Sequence, residues 1–438
     1  MYRRIAFFAA ATVLLSTVFF AQSFSVVDPG VRGNGAGAGG PIYGLTAHQT
    51  AFFSAGEDAF REVDTVASGL GPRFNLNSCA GCHAQPAVGG SSPAQNPQVV
   101  GGVAPAYQIN NLVNLGLIST QGPVREVRFK SDGGVHDLFV TAGMSGTATG
   151  CTIVQPNFEA HLKDIIFRTP TPTFGAGLIE GIPDRRLIAN EMRSKPYGIT
   201  GHVNRNGNDG TVTRFGWKAQ NKSLLLFAGE AYNVEQGISN DLFPQQRGEG
   251  GSEDPNACYT TPDPNDTTNF DAPSRSDVLP DIDHFANFMR FLDQPEPACT
   301  VKVNCPESVD SGFGLFHQIG CAVCHTPSMR TDSSPVAALS SKQANLFSDL
   351  LVHDMGELGD GISQGAAGPN EFRTAPLWGV GQRIFFLHDG RTTNLLRAIE
   401  EHADDGRDYG SEAYQVIRNF NSLSSTQQQK IINFLRSL

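Results

Sequence analysis

The sequence predicts a mainly α-helical chain of two similar halves, the first enlarged by a long insertion with some β-strand and loop. Three observations carry that prediction. The pattern Cys-x-x-Cys-His occurs twice, at Cys79–His83 and at Cys321–His325. A helix candidate precedes each copy, and an amphipathic helix closes each half. A stretch of strand-like alternation and polar, glycine-rich sequence separates the first copy from its closing helix.

The 438 residues suggest two or three domains. Hydrophobic residues make up 39% and charged residues 17%, a balance that supports a buried core and argues against disorder. The net charge of −11 disfavours nucleic acid as a partner, because phosphates repel such a surface. At the N-terminus, Arg3 and Arg4 precede an apolar run from Ile5 to Phe20, followed by small or polar residues. Residues 1–22 read as a secretory signal segment, with a retained membrane anchor as the other reading. No later stretch has 18 apolar residues in a row, so no further membrane span is expected and the chain is read as exported, periplasmic in a two-membrane cell.

The first half is placed at residues 40–299. Residues 46–66 form its leading helix candidate. Its closing helix, 281–297, repeats Ile282, Phe285, Phe288, Met289 and Leu292 at intervals of three and four, and Pro295 and Pro297 would stop it. Within the insertion, "PVREVRFK" and "VHDLFVT" alternate like strands, and residues 245–277 read as a long surface loop. The second half, 300–438, has a helix running into Cys321. It ends in a helix that Ser424 or Ser425 can cap, with Ile431, Ile432, Phe434, Leu435 and Leu438 as the apolar face.

Eight cysteines occur, four of them in the two Cys-x-x-Cys pairs. Export permits disulfides among the rest. Proximity favours Cys299–Cys305 and leaves Cys151–Cys258, although spacing alone proves neither bridge. Two thiols at i and i+3 lie on one side of a helical turn, where both can bond one porphyrin, and the adjacent histidine can bind the iron. Two covalent c-type haems are therefore expected, on Cys79 and Cys82 with His83 and on Cys321 and Cys324 with His325. A four-cysteine zinc site would not require a histidine after each pair.

Several longer stretches extend this reading: "GLGPRFNLNSCAGCHAQPAVGGSSP", "TPTFGAGLIEGIPD", "RFGWKAQNKSLLLFAGEAYNVEQGISNDLFP", "HDMGELGDG" and "FRTAPLWGVGQRIFFLHDGRTTNLLRAIEEH". They resemble the di-haem oxidoreductases sometimes called thiol oxidoreductases, relatives of the bacterial di-haem cytochrome c peroxidases. The resemblance implies two cytochrome c-like domains. It also implies electrons passing from a small donor protein, such as a cytochrome or cupredoxin, through the C-terminal haem to the N-terminal haem, with peroxide as a candidate oxidant. A di-haem electron carrier without catalysis and a MauG-like oxidant of a partner protein are the alternatives. Related peroxidases hold calcium between their lobes, and no motif here decides whether this chain does.

By the same resemblance, the distal ligand of the second haem falls fourteen residues after His388 of the HDG turn, at His402, where the peroxidases usually carry methionine. An imidazole there should lower the potential relative to a thioether. Met355 is the other ligand candidate. For the first haem His48, His136, His161 and His202 are all open, and Glu180 is the candidate proton carrier, because burial in "GAGLIEGIPD" would raise its pKa. Its alternative is a capping or salt-bridged glutamate with Arg168 or Arg185. Trp217 and Trp378 read either as core packing or as an electron relay between the haems.

Overall fold

The computed structural model describes residues 25–33, 35–249, 258 and 261–438. The expected signal segment lies outside them, and among the described residues no helix is long and apolar enough to cross a membrane. The chain is mainly α, with five two-stranded antiparallel sheets among the described residues.

Each half rests on a crossed helix pair. In the first, the helix Ala47–Arg61 starts at a capping box in which Thr46 accepts from the Gln49 N–H and Gln49 reaches back to the Thr46 N–H. It buries Phe53, Gly56 and Phe60 against the helix Asp281–Phe291. The Asp266 carboxylate accepts the N–H groups of Asp281 and Ile282, satisfying two otherwise orphaned donors at that helix start. In the second half, Glu307–Ile319 crosses Ser425–Ser437, whose capping box joins Ser424 and Gln427. A glycine sits at both crossings. A Cβ on Gly56 would collide with the His284 carbonyl, and one on Gly312 with that of Lys430, so the helices meet backbone to backbone.

The closing helix of the first half ends earlier than its prolines suggest. Leu292 turns extended because this stretch pairs with the N-terminal segment: the Ile42 N–H donates to the Phe291 carbonyl at 2.7 Å and the Asp293 N–H to that of Gly40 at 3.0 Å. A tertiary partner, not the proline, terminates the helix. Nor does the core divide at residue 299. Met329, Leu339, Leu346, Leu350 and Leu351 pack with Phe53, Phe285 and Phe288, while the second core gathers Val309, Phe316, Phe420 and the face of the last helix.

In the insertion, Glu126–Phe129 pairs antiparallel with Ile165–Arg168. The second strand-like stretch contributes only Phe139–Val140, which pairs with Arg73–Phe74 just ahead of the first Cys-x-x-Cys-His. The described part of 245–277 holds mostly turns and bends, with Cys258 in a 3-10 turn and Asp266 in an isolated bridge to Asn240. Disulfides join Cys151 to Cys258 and Cys299 to Cys305.

Candidate functional site

Both Cys-x-x-Cys-His motifs form a single helical turn, and each lines its own cavity. The four thiols are free, and the pairs do not converge into one four-sulfur site among the described residues. Burial pushes the Cys79 and Cys82 thiols well up and Cys321 to about 12, which disfavours a thiolate redox pair.

The proximal histidines are held alike. His83 Nδ1 lies 2.9 Å from the Gly90 carbonyl and His325 Nδ1 lies 3.0 Å from that of Phe347. With Nδ1 so engaged, Nε2 is the nitrogen left to bind a metal. Burial holds both imidazoles neutral, His325 at about 4. Metal-binding imidazole must be neutral, so burial and ligation agree.

The second cavity holds another such imidazole. His402 Nδ1 lies 2.8 Å from the Ala398 carbonyl, and its ring stands 6.4 Å from that of His325, centre to centre. An imidazole nitrogen binds a metal at about 2.0–2.1 Å and its ring centre lies about 1.1 Å beyond, so two imidazoles on opposite faces of one metal stand roughly 6.3 Å apart. The turn after His402, with Asp404 and Asp405 at φ 41° and 57°, ends the helix there and sends the chain away. Met355 and His388 also line this cavity. The His388 ring stacks on Phe372 at 4.3 Å, and its carbonyl accepts from the Thr169 N–H at 2.7 Å, joining the HDG turn to the first half. The motif "HDMGELGDG" contributes one more feature: His353 is buried between Asp349, at 3.1 Å, and Glu412, at 2.7 Å.

The first cavity differs on its far side. Among the described residues, His83 is the one histidine that lines it. His136 is bound by Glu249 at 2.7 Å, His202 by Glu371 at 2.9 Å, His161 stacks on Phe129, and His48 is exposed on its helix. In place of a second imidazole the cavity presents Glu126 and Glu235, hydrogen-bonded to each other. Arg128 Nε reaches Glu126 at 2.6 Å, and Asn75 donates to Glu235 at 2.9 Å. Burial and the neighbouring Glu126 push Glu235 well above the carboxylate range. Burial acts upward on Glu126 too, but Arg128 and Arg168 outweigh it and hold it low. The two carboxyl groups are coupled, and their environments push them in opposite directions, Glu235 up and Glu126 down.

Glu180, the proton carrier expected from the sequence, is not part of this wall. Its carboxylate accepts the Leu224 N–H at 2.9 Å and pairs with Arg290 at 2.8 Å. It caps one helix and ties it to another. Its partner is Arg290, not Arg168 or Arg185. Glu235 lies five residues after Glu230 in "FAGEAYNVEQG", within a stretch that carries the resemblance but marks no glutamate as a proton carrier. Both Glu230 and Glu235 line the cavity, and helical spacing offers no sign that Glu235 is the one that meets Glu126.

Haem fits both cavities on grounds other than the motifs. Arg125 lines the first, and its Nε is buried without a partner. Arg373 and Arg383 line the second, and neither pairs with a carboxylate among the described residues. Guanidinium groups without a carboxylate partner at these cavities suit a ligand that is mostly apolar and carries carboxylates, as haem is. The side chains able to hold an ion together, Cys324, Asp349 and His353 among the described residues, offer sulfur and nitrogen donors that do not suit calcium.

The family "Di-haem oxidoreductase, putative peroxidase" matches residues 151–438, well over half of the chain. The chain belongs to the di-haem oxidoreductase family. The match includes the second Cys-x-x-Cys-His and begins downstream of the first. Among solved structures, the di-haem peroxidase BthA of Burkholderia thailandensis is 15% identical, with 95% of this chain and 94% of that one covered at a TM-score of 0.38. A MauG-like protein associated with microbial copper homeostasis is 15% identical over 61% of this chain and 89% of its own, at 0.30. Hydrazine synthase of Kuenenia stuttgartiensis is 16% identical over 38% of this chain at 0.23, and the present chain spans 56% of its length. No curated protein matches. As a member of its family, the chain is a haem-dependent oxidoreductase of the peroxidase-like kind.

Proposed function

We propose that the chain is an exported, peroxidase-like c-type oxidoreductase in which a donor protein delivers electrons to the C-terminal site and the N-terminal site reduces an oxidant such as peroxide. The observation that carries this reading is the asymmetry of the cavities: two imidazoles 6.4 Å apart, centre to centre, in one, and one imidazole with a hydrogen-bonded carboxyl pair in the other. When bound, the haems supply one-electron redox chemistry and, in the N-terminal site, the iron at which an oxidant is reduced. Cys79, Cys82 and His83 would hold one, and Cys321, Cys324, His325 and His402 the other.

His402 gives the C-terminal site two nitrogen ligands and so suits it to outer-sphere transfer. In the N-terminal site, Glu235 holds a proton at its carboxyl and can give it to a leaving oxygen, while Asn75 and Glu126 fix its orientation. Trp217 lines both cavities, and its indole N–H donates to the Thr169 carbonyl at 2.8 Å. It is the aromatic group suited to pass electrons between them. Trp378 is buried against Gly175 in the core and serves packing. The two disulfides agree with an oxidising compartment.

Electron paramagnetic resonance and electronic spectra of the holoprotein test this reading. One low-spin haem and one haem that is high-spin, or becomes so in the half-reduced state, are expected, with only the second perturbed by peroxide. Two haems that stay low-spin in every redox state and ignore peroxide would make the chain an electron carrier.

A further inference from the structure

Between the two cavities lies a charged side chain that the chemistry above does not use. Lys218 follows Trp217 and is completely buried. Its ammonium is surrounded by oxygen: the carbonyls of Gly368 at 2.9 Å, Pro369 at 3.4 Å and Glu371 at 2.6 Å, and Asp360 Oδ1 at 3.2 Å. The ring of Phe372 closes the remaining side, 4.4 Å from Nζ to its centre. A buried ammonium is costly unless oxygen ligands replace its water, and here they do so completely. Three backbone carbonyls and a carboxylate converging on one positive centre are also the ligand types of a hard divalent cation.

The position of this cage gives it a consequence. Its carbonyls and Asp360 belong to the second half, whereas Lys218 and Trp217 belong to the first. The other Asp360 oxygen takes two bonds from Arg168, at 2.6 and 3.0 Å, and Arg168 lines the first cavity. The Trp217 carbonyl accepts from the Arg373 N–H at 2.8 Å, beside Phe372 in the wall of the second. One ammonium thus gathers both halves around the backbone of the tryptophan that touches both cavities.

We infer that Lys218 supplies, from within the chain, the cation of an oxygen cage that locks the Trp217 turn onto residues 360–373, and that removing the ammonium uncovers a calcium-binding site. Lys218 is then a positioning residue for Trp217. Its effect on electron transfer rests on the relay reading above, whereas the cage itself does not.

The test uses the holoprotein and Lys218→Ala, with calcium chloride as the probe. Isothermal titration should show one calcium per chain bound by Lys218→Ala, none by the wild type, and none when Asp360→Asn is added to the variant. Stopped-flow transfer between the haems should slow at least about tenfold in Lys218→Ala, since small misplacements of a positioned group are costly. Calcium should restore most of the rate, with the separate haem spectra unchanged. Lys218→Gln, which fills the space without charge, should also be slow and should not respond to calcium. It decides the matter if the alanine variant does not fold. Wild-type transfer rates in Lys218→Gln, or no calcium binding by folded Lys218→Ala, would overturn the inference. A wild-type rate in Trp217→Phe would instead remove the relay reading and leave the calcium titration to judge the cage.

Discussion

The two Cys-x-x-Cys-His cavities start from nearly the same local sequence and end with different chemistry. Each has a helical turn carrying two thiols, a histidine oriented through Nδ1 by a backbone carbonyl, and a helix pair crossing at a glycine. Across from His325 stands His402, at a spacing that suits two ligands on one iron. In the cavity of His83 the wall holds Glu126 and Glu235 instead, with Arg128 and Arg168 close enough to act on Glu126. The side that carries the thiols and the histidine is a repeated unit, and the proposed function assigns the difference between the copies to the rest of each cavity wall. On that proposal a second imidazole would close one haem to substrate, whereas the carboxyl pair would leave room for an oxidant and offer the proton its reduction consumes.

That contrast can be broken at several points. Replacing Cys79 and Cys82 with alanine should have the largest effect: intact mass should fall by one haem per chain, and peroxide turnover should disappear while the spectrum of the other haem persists. Loss of both haems would deny that the sites are separate.

Next, Glu235→Gln should slow the reaction with peroxide by about 10²- to 10⁴-fold, the usual worth of a general acid, without shifting the spectrum of the C-terminal haem. In the wild type the acid works while protonated, and its pKa is raised. Activity should therefore hold at low pH and fall as pH rises through that raised value, and the fall should be absent from the pH profile of the variant. A profile unchanged by the substitution would deny Glu235 the role.

His402→Met sharpens the other side of the comparison. The thioether should raise the potential of the C-terminal haem by on the order of 0.1 V, within the roughly 0.8 V range that axial ligands command. Spectroelectrochemistry resolves this, and an unshifted potential would mean that His402 does not reach the iron.

The smallest effect is expected at Glu180. Its ion pair with Arg290 is partly exposed, so Glu180→Gln should cost no more than about 1 kcal/mol in denaturant unfolding and leave peroxide turnover unchanged. A large loss of turnover would return Glu180 to the site.

Much of the architecture was legible because the signals were local. The capping box at Ser424, the apolar faces of the closing helices and the strand at Glu126–Phe129 are each written within a few consecutive residues. The early end of the helix at Phe291 was not, because the competing partner is the segment around Ile42, far away in sequence. Glu180 misled for a related reason. An apolar, glycine-lined run announces burial of the backbone, but the carboxylate itself turns to Arg290, which no local pattern announces.

By itself, the sequence determined what depends on neighbouring residues: two thiol pairs each with its histidine, a helix before and after each pair, and a net charge that disfavours nucleic acid. Tertiary structure decided the far walls. Glu126 and Glu235 meet across more than a hundred residues, His402 stands near His325 across seventy-seven, and Trp217 lines both cavities while Lys218 beside it is held by carbonyls of the other half. A covalent attachment motif must be contiguous to present two thiols and an imidazole to one macrocycle. The groups opposite need only converge in space, and long-range packing alone brings them there.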